Sequence, residues 1–261
     1  GVSLVAPMFA LMIAFGDIFG LGGSSVISRL LGEKKDNEAK KTCAFCIWVS
    51  LVFGLCISAI LLLFRTQILG LLGVSKVTYE YANAYYTWIA IGAVSIIFSM
   101  VPSNILRTEG LAVQSMAGSI IGSIVNIIFD PIFIFGLNQG AAGAAMATVL
   151  GNIIADIYYV YAVIKKSKRL TCSPSHMKIT GRRVKDILMV GIPASITNIM
   201  QTFMMVMTNN FLLTYGTDKV AAMGIALKVN MITALVLVGF AFGGQPLVGY
   251  NYGAKNEKRL K

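Results

Sequence analysis

The sequence predicts an all-α polytopic membrane protein, and three observations carry that prediction. The chain of 261 residues is 56% hydrophobic and only 13% charged, with mean hydropathy +0.76, whereas roughly a quarter of a soluble domain is charged. Apolar runs of about 20 residues, the length that crosses a bilayer as a helix, recur along the chain. They do not alternate with the period of two that a membrane β-barrel requires. Finally, the basic residues crowd into every second connection between the runs.

Seven spans follow in order, at Leu4–Leu30, Cys43–Phe64, Tyr85–Leu106, Val113–Phe135, Ala142–Ile164, Ile187–Leu213 and Val220–Val248. Turn-forming stretches, "LLGVSK", "RTEGLA" and "GLNQGAAG", separate the second to fifth of these. The longest connection, "KKSKRLTCSPSHMKITGRRVK" from Lys165 to Lys185, is the one clear break in composition and reads as a solvated linker. It divides the chain into residues 1–164, 165–185 and 186–261. The chain opens at Gly1 beside an apolar run, without an initiator Met or a basic leader, so a further N-terminal part of a longer protein is expected to precede it.

Charge placement orients the spans. Arg29, Lys34, Lys35, Lys40 and Lys41 follow the first span, Arg107 follows the third, eight Lys/Arg lie in the long loop and four follow the last span. Eighteen of the 22 basic residues therefore fall on one set of connections, and only Arg65, Lys76, Lys219 and Lys228 fall on the other side. The positive-inside rule makes the first set cytoplasmic, with Gly1 outside and Lys261 inside a plasma (inner) membrane. The net charge of +11 is thus a topology signal, and no nucleic-acid partner is implied. Lys228, in the first turns of the last span, is expected to reach the outer interface along its alkyl stem.

The remaining reactive residues carry little. Cys43, Cys46, Cys56 and Cys172 form no extracellular disulfide framework, and the Cys43/Cys46 pair reads as packing at the start of a helix. His176 sits in the charged loop and reads as solvated. There is no Ser/His/Asp or Cys/His set, no phosphate-binding Gly loop and no metal-ligand cluster, so an enzyme is not supported and no cofactor is implied.

An internal repeat is visible at an offset of 221. Phe19, Gly22, Gly23, Gly32, Lys34 and Lys40 meet Phe240, Gly243, Gly244, Gly253, Lys255 and Lys261. The first span therefore corresponds to the seventh, which makes the unit six helices. Both repeated ends lie on one side, the plan of parallel repeats in secondary transporters. The chain reads as helices two to eight of a two-lobed, twelve-helix protein, with 1–164 in the first lobe and 186–261 opening the second.

Within the fourth span, "SIVNIIFDPIFIFG" places Asn126 and Asp130 one helical turn apart on one face, with Gly118 and Gly122 extending the stripe. Those glycines read as helix-packing positions. Pro131 cannot donate to the carbonyl of Ile127, so a kinked hinge, a carboxylate, an amide oxygen and a loose carbonyl come together. Oxygens of this kind suit a hard cation or a proton. In the next span, Thr148, Asn152 and Asp156 follow at intervals of four, which places them on one face, and Asp130 and Thr148 are equidistant from a turn near Asn138–Gly140 and so share a depth. Asp17, Asn152, Asp156 and Gln201 are further candidates to line a cavity; Asp156, nearer the cytoplasmic end, can alternatively snorkel. The sixth span carries Met200, Met204, Met205 and Met207 with Asn198 and Gln201, either an adaptable ligand surface or lipid-facing filler.

The Gly-rich first span running into "SRLLGE", together with "NILRTEG", "NIIFDPIFIFG" followed by "GAAGAAMAT", and "GYNYGAKN", resembles the multidrug and toxic compound extrusion (MATE) transporters over essentially the whole chain. The resemblance implies twelve helices in two lobes around a central cavity. It also implies export of cationic or amphipathic compounds against Na⁺ or H⁺, with the bilayer and small substrates as partners and a monomer when full length. It maps the family's amino-terminal-lobe cation site onto Asn126, Asp130 and Thr148, with possible Na⁺ at Asp130. The family's acid in helix one would lie before Gly1, and the Glu that one branch carries in helix seven is missing between Leu188 and Leu213. Two alternatives are weaker. A lipid-linked saccharide flippase would be expected to have a more cationic cavity, and a seven-helix receptor conflicts with the repeat.

Overall fold

In the computed structural model, backbone is described for residues 2–71, 79–213 and 217–260. Side chains are described within these apart from 2–7, 71, 201, 202, 205, 206, 209, 210, 212, 213, 217–222, 224, 225, 227, 228, 231, 235 and 260. The side chains of Gln201, Met205, Lys219 and Lys228, and most of the "LLGVSK" turn with Lys76, lie outside the described residues. The fold is all-α among those residues. In chain order the helices are α1 (Val2–Gly32), α2 (Asp36–Leu63), α3 (Arg65–Leu71), α4 (Tyr79–Thr108), α5 (Ala112–Pro131), α6 (Gly140–Lys165), α7 (Gly181–Leu213), α8 (Thr217–Gly253) and α9 (Glu257–Leu260).

Six of these are long and apolar enough to cross a membrane among the described residues, within α1, α2, α4, α5, α6 and α8. The expected span Ile187–Leu213 is helical as α7 but is not one of the six. Helices also run past the predicted span ends: α2 begins at Asp36, because acidic Asp36 and Glu38 suit its N-terminal turn. The short α3 was not expected.

Apolar burial alone does not hold helices together in lipid, so small residues and interhelical hydrogen bonds carry the packing. The most enclosed helix, α4, lies between α1, α2 and α6. Its small residues Ala82, Ala90, Gly92 and Ala93 are buried, and Ile89, Ile96, Ile97, Val101 and Ile105 fill the space between them. Tyr86 donates to the Leu61 carbonyl at 2.7 Å and Ser58 to that of Ala90 at 2.7 Å, which ties α4 to α2.

The "RTEG" stretch organises the basic end. Gly110 takes φ +84°, open to glycine at no steric cost, and the Leu111 amide bonds back to Leu106 at 3.0 Å to stop α4. Arg107 donates to Ser115 of α5 at 3.1 Å. Glu109 receives the amides of Lys168 and Arg169 at 2.7 and 2.8 Å and the Ser167 hydroxyl. The connection after α6 is therefore docked through its backbone, while Lys165, Lys166, Lys168, Arg169, Lys178, Arg182 and Lys185 along it are exposed. Leu170 is 5% exposed, and Cys172 and Ile179 pack against the core shared by α1, α2 and α4. The cause is the carboxylate at Glu109, which holds the loop's backbone where those side chains can enter the core. His176 is exposed, as expected.

α1 is the axis about which α7 and α8 pack. Gly22 and Gly191 let α1 and α7 meet backbone to backbone, against Ile187 and Ile18 respectively. At its basic end α1 crosses α8. A side chain at Gly32 would overlap the Tyr250 carbonyl, one at Gly253 the Arg29 carbonyl, and one at Gly249 the Ser28 hydroxyl. Ion pairs Arg29–Asp186 at 3.4 Å and Arg183–Glu38 at 3.1 Å add surface links from α1 and α2 to α7.

Candidate functional site

Pro131 ends α5, and the helix continues as a wider π-helical turn over Ile132–Gly136, in which the Leu137 amide bonds to Ile132 at 2.9 Å, five residues back. Turns of this kind insert one extra residue and recur at functional sites. The α5–α6 reversal then passes through Asn138 and Gly140, both with positive φ, as the turn residues predicted.

The inserted residue shifts the helix register. Asn126 Nδ2 donates to Thr148 Oγ1 at 3.3 Å, and the backbones meet at Gly122 and Gly151, where a side chain on Gly122 would lie 2.9 Å from the Gly151 carbonyl oxygen. Asn126, rather than Asp130, is thus level with Thr148. Equal spacing from the turn placed Asp130 level with Thr148; the inserted residue moves the register by only about 1.5 Å along the axis, and the rest of the one-turn difference follows from where α5 and α6 pack, at Gly122 and Gly151. Asp130 lies within electrostatic range of Tyr85 of α4, and its buried Oδ1 has no hydrogen-bond partner.

A pocket of about 410 Å³ lies beside this pair, between α4, α5 and α6. Asn126, Thr148 and Asn152 line it with hydroxyls of Ser99, Ser103, Ser119 and Tyr159. Asn152 donates to the Thr148 carbonyl at 2.8 Å, and Ser119 and Tyr159 pair at 2.8 Å. The hydroxyl lining was not foreseen, although Ser115, Ser119 and Ser123 recur at intervals of four on α5 and extend the face that carries Asn126. Gly118 and Gly122 do pack helices: a side chain on the first would overlap the Tyr159 ring.

Asp156 is elsewhere. It does not share the Thr148–Asn152 face and does not snorkel; it turns to α4, where Ser95 donates to its Oδ2. Steps of four residues drift by about 40° each, so eight residues from Thr148 the direction has moved by about 80°, enough to face a different neighbour. Asp17 is 7% exposed and accepts a hydrogen bond from Asn198 of α7 at 2.9 Å. Met200, Met204 and Met207 are exposed on α7. Among the described residues no group of three or more His, Cys, Asp or Glu is placed to hold a metal ion.

Residues 1–132 and 193–261 match the MatE family. The chain is 35% identical over 260 residues to the multidrug export protein MepA of Staphylococcus haemolyticus, an alignment covering 100% of this chain and 57% of that protein. It is 31% identical to MepA of Staphylococcus aureus with the same coverage. Among solved structures, it superposes with a TM-score of 0.93 at 30% identity on a MATE transporter in the straight conformation, covering 99% of this chain and 58% of that one. A Pyrococcus furiosus transporter of the MOP superfamily, described as having a binding pocket of reversed polarity, superposes at 0.92 with 30% identity and the same coverage. The chain thus spans 57% of the length of these curated relatives. The match extends over most of the sequence, and this multi-pass membrane chain belongs to the MatE family.

Proposed function

We propose that the protein of which this chain forms the matched portion is a cation- or proton-coupled antiporter that exports cationic or amphipathic drugs and toxic compounds by alternating access. In this reading the chain supplies helices two to eight of twelve, with residues 1–164 in one lobe, 165–185 as connection and 186–261 opening the other. The full protein is a monomer in the plasma membrane, Gly1 outside and Lys261 cytoplasmic. The names of the MepA relatives support the activity. The α1–α8 crossing supports the parallel repeat, because Gly32 and Gly253, and Ser28 and Gly249, are repeat mates at offset 221 that meet at a single crossing.

One observation carries the site: the buried, unpartnered Oδ1 of Asp130, one turn from the Asn126–Thr148 pair. A carboxylate in a membrane span needs a partner. Either coupling ion provides one. A proton gives the carboxyl a donor, and Na⁺, as transported substrate, would take oxygens from Asp130, Asn126 and Thr148. The wide turn after Pro131 is the hinge through which loading at Asp130 reaches the arrangement of helices.

The test is drug efflux from vesicles that contain the complete protein, under imposed Na⁺ or H⁺ gradients. Efflux should follow one gradient and be lost in Asp130→Asn. Efflux that ignores both gradients, or a variant that works normally, would leave "NIIFDP" as a structural bend and return the flippase reading.

A further inference from the structure

A second cavity, of about 480 Å³, lies between α2, α4 and α6, on the opposite side of α6 from the polar pocket. Its walls are apolar: Leu51 from α2, Ile91, Val94 and Phe98 from α4, and Val149, Ile153, Ile157 and Val160 from α6. The rim residues Ile91, Ile153 and Ile157 are exposed, the last by 64%. Gly92 keeps α4 and α6 close beneath it, since a side chain there would overlap Val149. The one ionisable group in this lining is Asp156. Ser95 donates to its Oδ2, whereas its Oδ1 is buried without a partner.

We propose that this groove is a lateral binding site for an amphipathic organic cation, whose apolar body lies among the isoleucines and whose cationic head faces the Asp156 carboxylate. The arrangement has the features of a small-molecule site: a volume within about 300–1,000 Å³, apolar walls and one placed polar group. The absence of any lysine or arginine from the lining sets the sign of the ligand's charge. In a low-dielectric wall an uncompensated carboxylate attracts a cation far more strongly than it would in water. A neutral lipid tail would fill the groove equally well but leaves Oδ1 without a partner. An amphipathic compound that enters through the isoleucine rim does not pass through the polar pocket, which lies on the other side of α6. The site goes beyond the coupling reading and does not depend on Asp130.

The experiment titrates the complete protein in detergent micelles with ethidium, an aromatic monocation carrying amino groups, and follows fluorescence anisotropy. Asp156→Asn should weaken binding by about tenfold, the loss of one desolvated charge contact. Ile153→Trp, which fills the groove and keeps the carboxylate, should weaken it comparably. Ser95→Ala, which removes a donor and leaves the charge, should bind at least as tightly as the wild type. Wild-type affinity in both Asp156→Asn and Ile153→Trp overturns the proposal. Weakening by Ile153→Trp alone overturns the charge assignment in favour of a neutral amphiphile. Equal losses in Ser95→Ala and Asp156→Asn would mean that the pair only joins α4 to α6, and would also overturn it.

Discussion

Gly32 and Gly253, 221 residues apart, meet at one crossing, each pressed against the backbone of the helix that carries the other: Gly32 faces the Tyr250 carbonyl and Gly253 the Arg29 carbonyl. Arg29 and Tyr250 are themselves 221 apart, so the two contacts mirror each other in sequence. Gly32→Ala or Gly253→Ala should force α1 and α8 apart, at about 1–3 kcal/mol for overpacking a close contact. In the complete protein this should raise labelling of a cysteine placed at Ser28 by roughly 5- to 150-fold, the population change such an energy gives. Gly70→Ala, at a glycine with open space around it, should change nothing. Unchanged labelling in both crossing variants would mean that α1 and α8 part without regard to this contact.

The Asn126–Thr148 bond makes its own prediction. Thr148→Val keeps the shape and removes the acceptor, leaving a polar amide in the pocket wall at a cost of about 1–3 kcal/mol. Thr148→Ser restores the hydroxyl. Gradient-driven efflux by the full-length protein should therefore fall markedly in the valine variant and recover in the serine variant. Equal activity in the two would show that the hydroxyl has no part in coupling.

Glu109 holds the connection after α6 through two backbone amides and a hydroxyl. Hydrogen bonds to a charged group are worth about 1.5–3 kcal/mol, so Glu109→Ala should release the segment while Glu109→Gln keeps part of it. Trypsin should then cut after Lys168 and Arg169 faster in the alanine variant, and hydrogen exchange at the Arg169 amide should accelerate. Protection equal to wild type would place the hold on Leu170 and Cys172 instead.

Burial pushes the Cys172 thiol up to about 11. The thiolate is the nucleophile, so below that value most of the residue is inert. With Cys43→Ser, Cys46→Ser and Cys56→Ser in the background, the rate of maleimide attachment should still be rising as pH passes 9 and 10. An exposed thiol, with a pKa of about 8.5, should have levelled off there. A plateau near pH 9 would mean that the loop leaves this side chain open to water.

Much of the fold was legible in the sequence because a membrane span must satisfy its own backbone, so length and apolarity alone mark each helix. The residues that end α4 and turn α5 into α6 were legible too, since Gly110, Asn138 and Gly140 adopt backbone conformations that few other residues tolerate. Asn126 and Thr148 were legible as polar positions on two paired helices, but their distances to the turn matched Thr148 with Asp130 instead. The docked loop was not legible, because eight basic residues read as solvated whatever the backbone between them does.

The sequence by itself determined which segments form the long helices, which connections are basic, and that Asn126, Thr148 and Asp130 belong to neighbouring stretches of two paired helices. Those properties are set locally, by apolar run length, charge and backbone preference. Only the tertiary structure decided that Asn126 is level with Thr148 while Asp130 is a turn away, because the close approach of α5 and α6 at Gly122 and Gly151, together with the π-helical turn after Pro131, sets the register. It alone decided that Asp156 faces Ser95 of α4 and a lateral groove, away from Asn152. The physical reason is the same in both cases: a helix turns by 100° per residue, so one extra residue or a few degrees of rotation, set by how whole helices pack, chooses the neighbour each side chain meets.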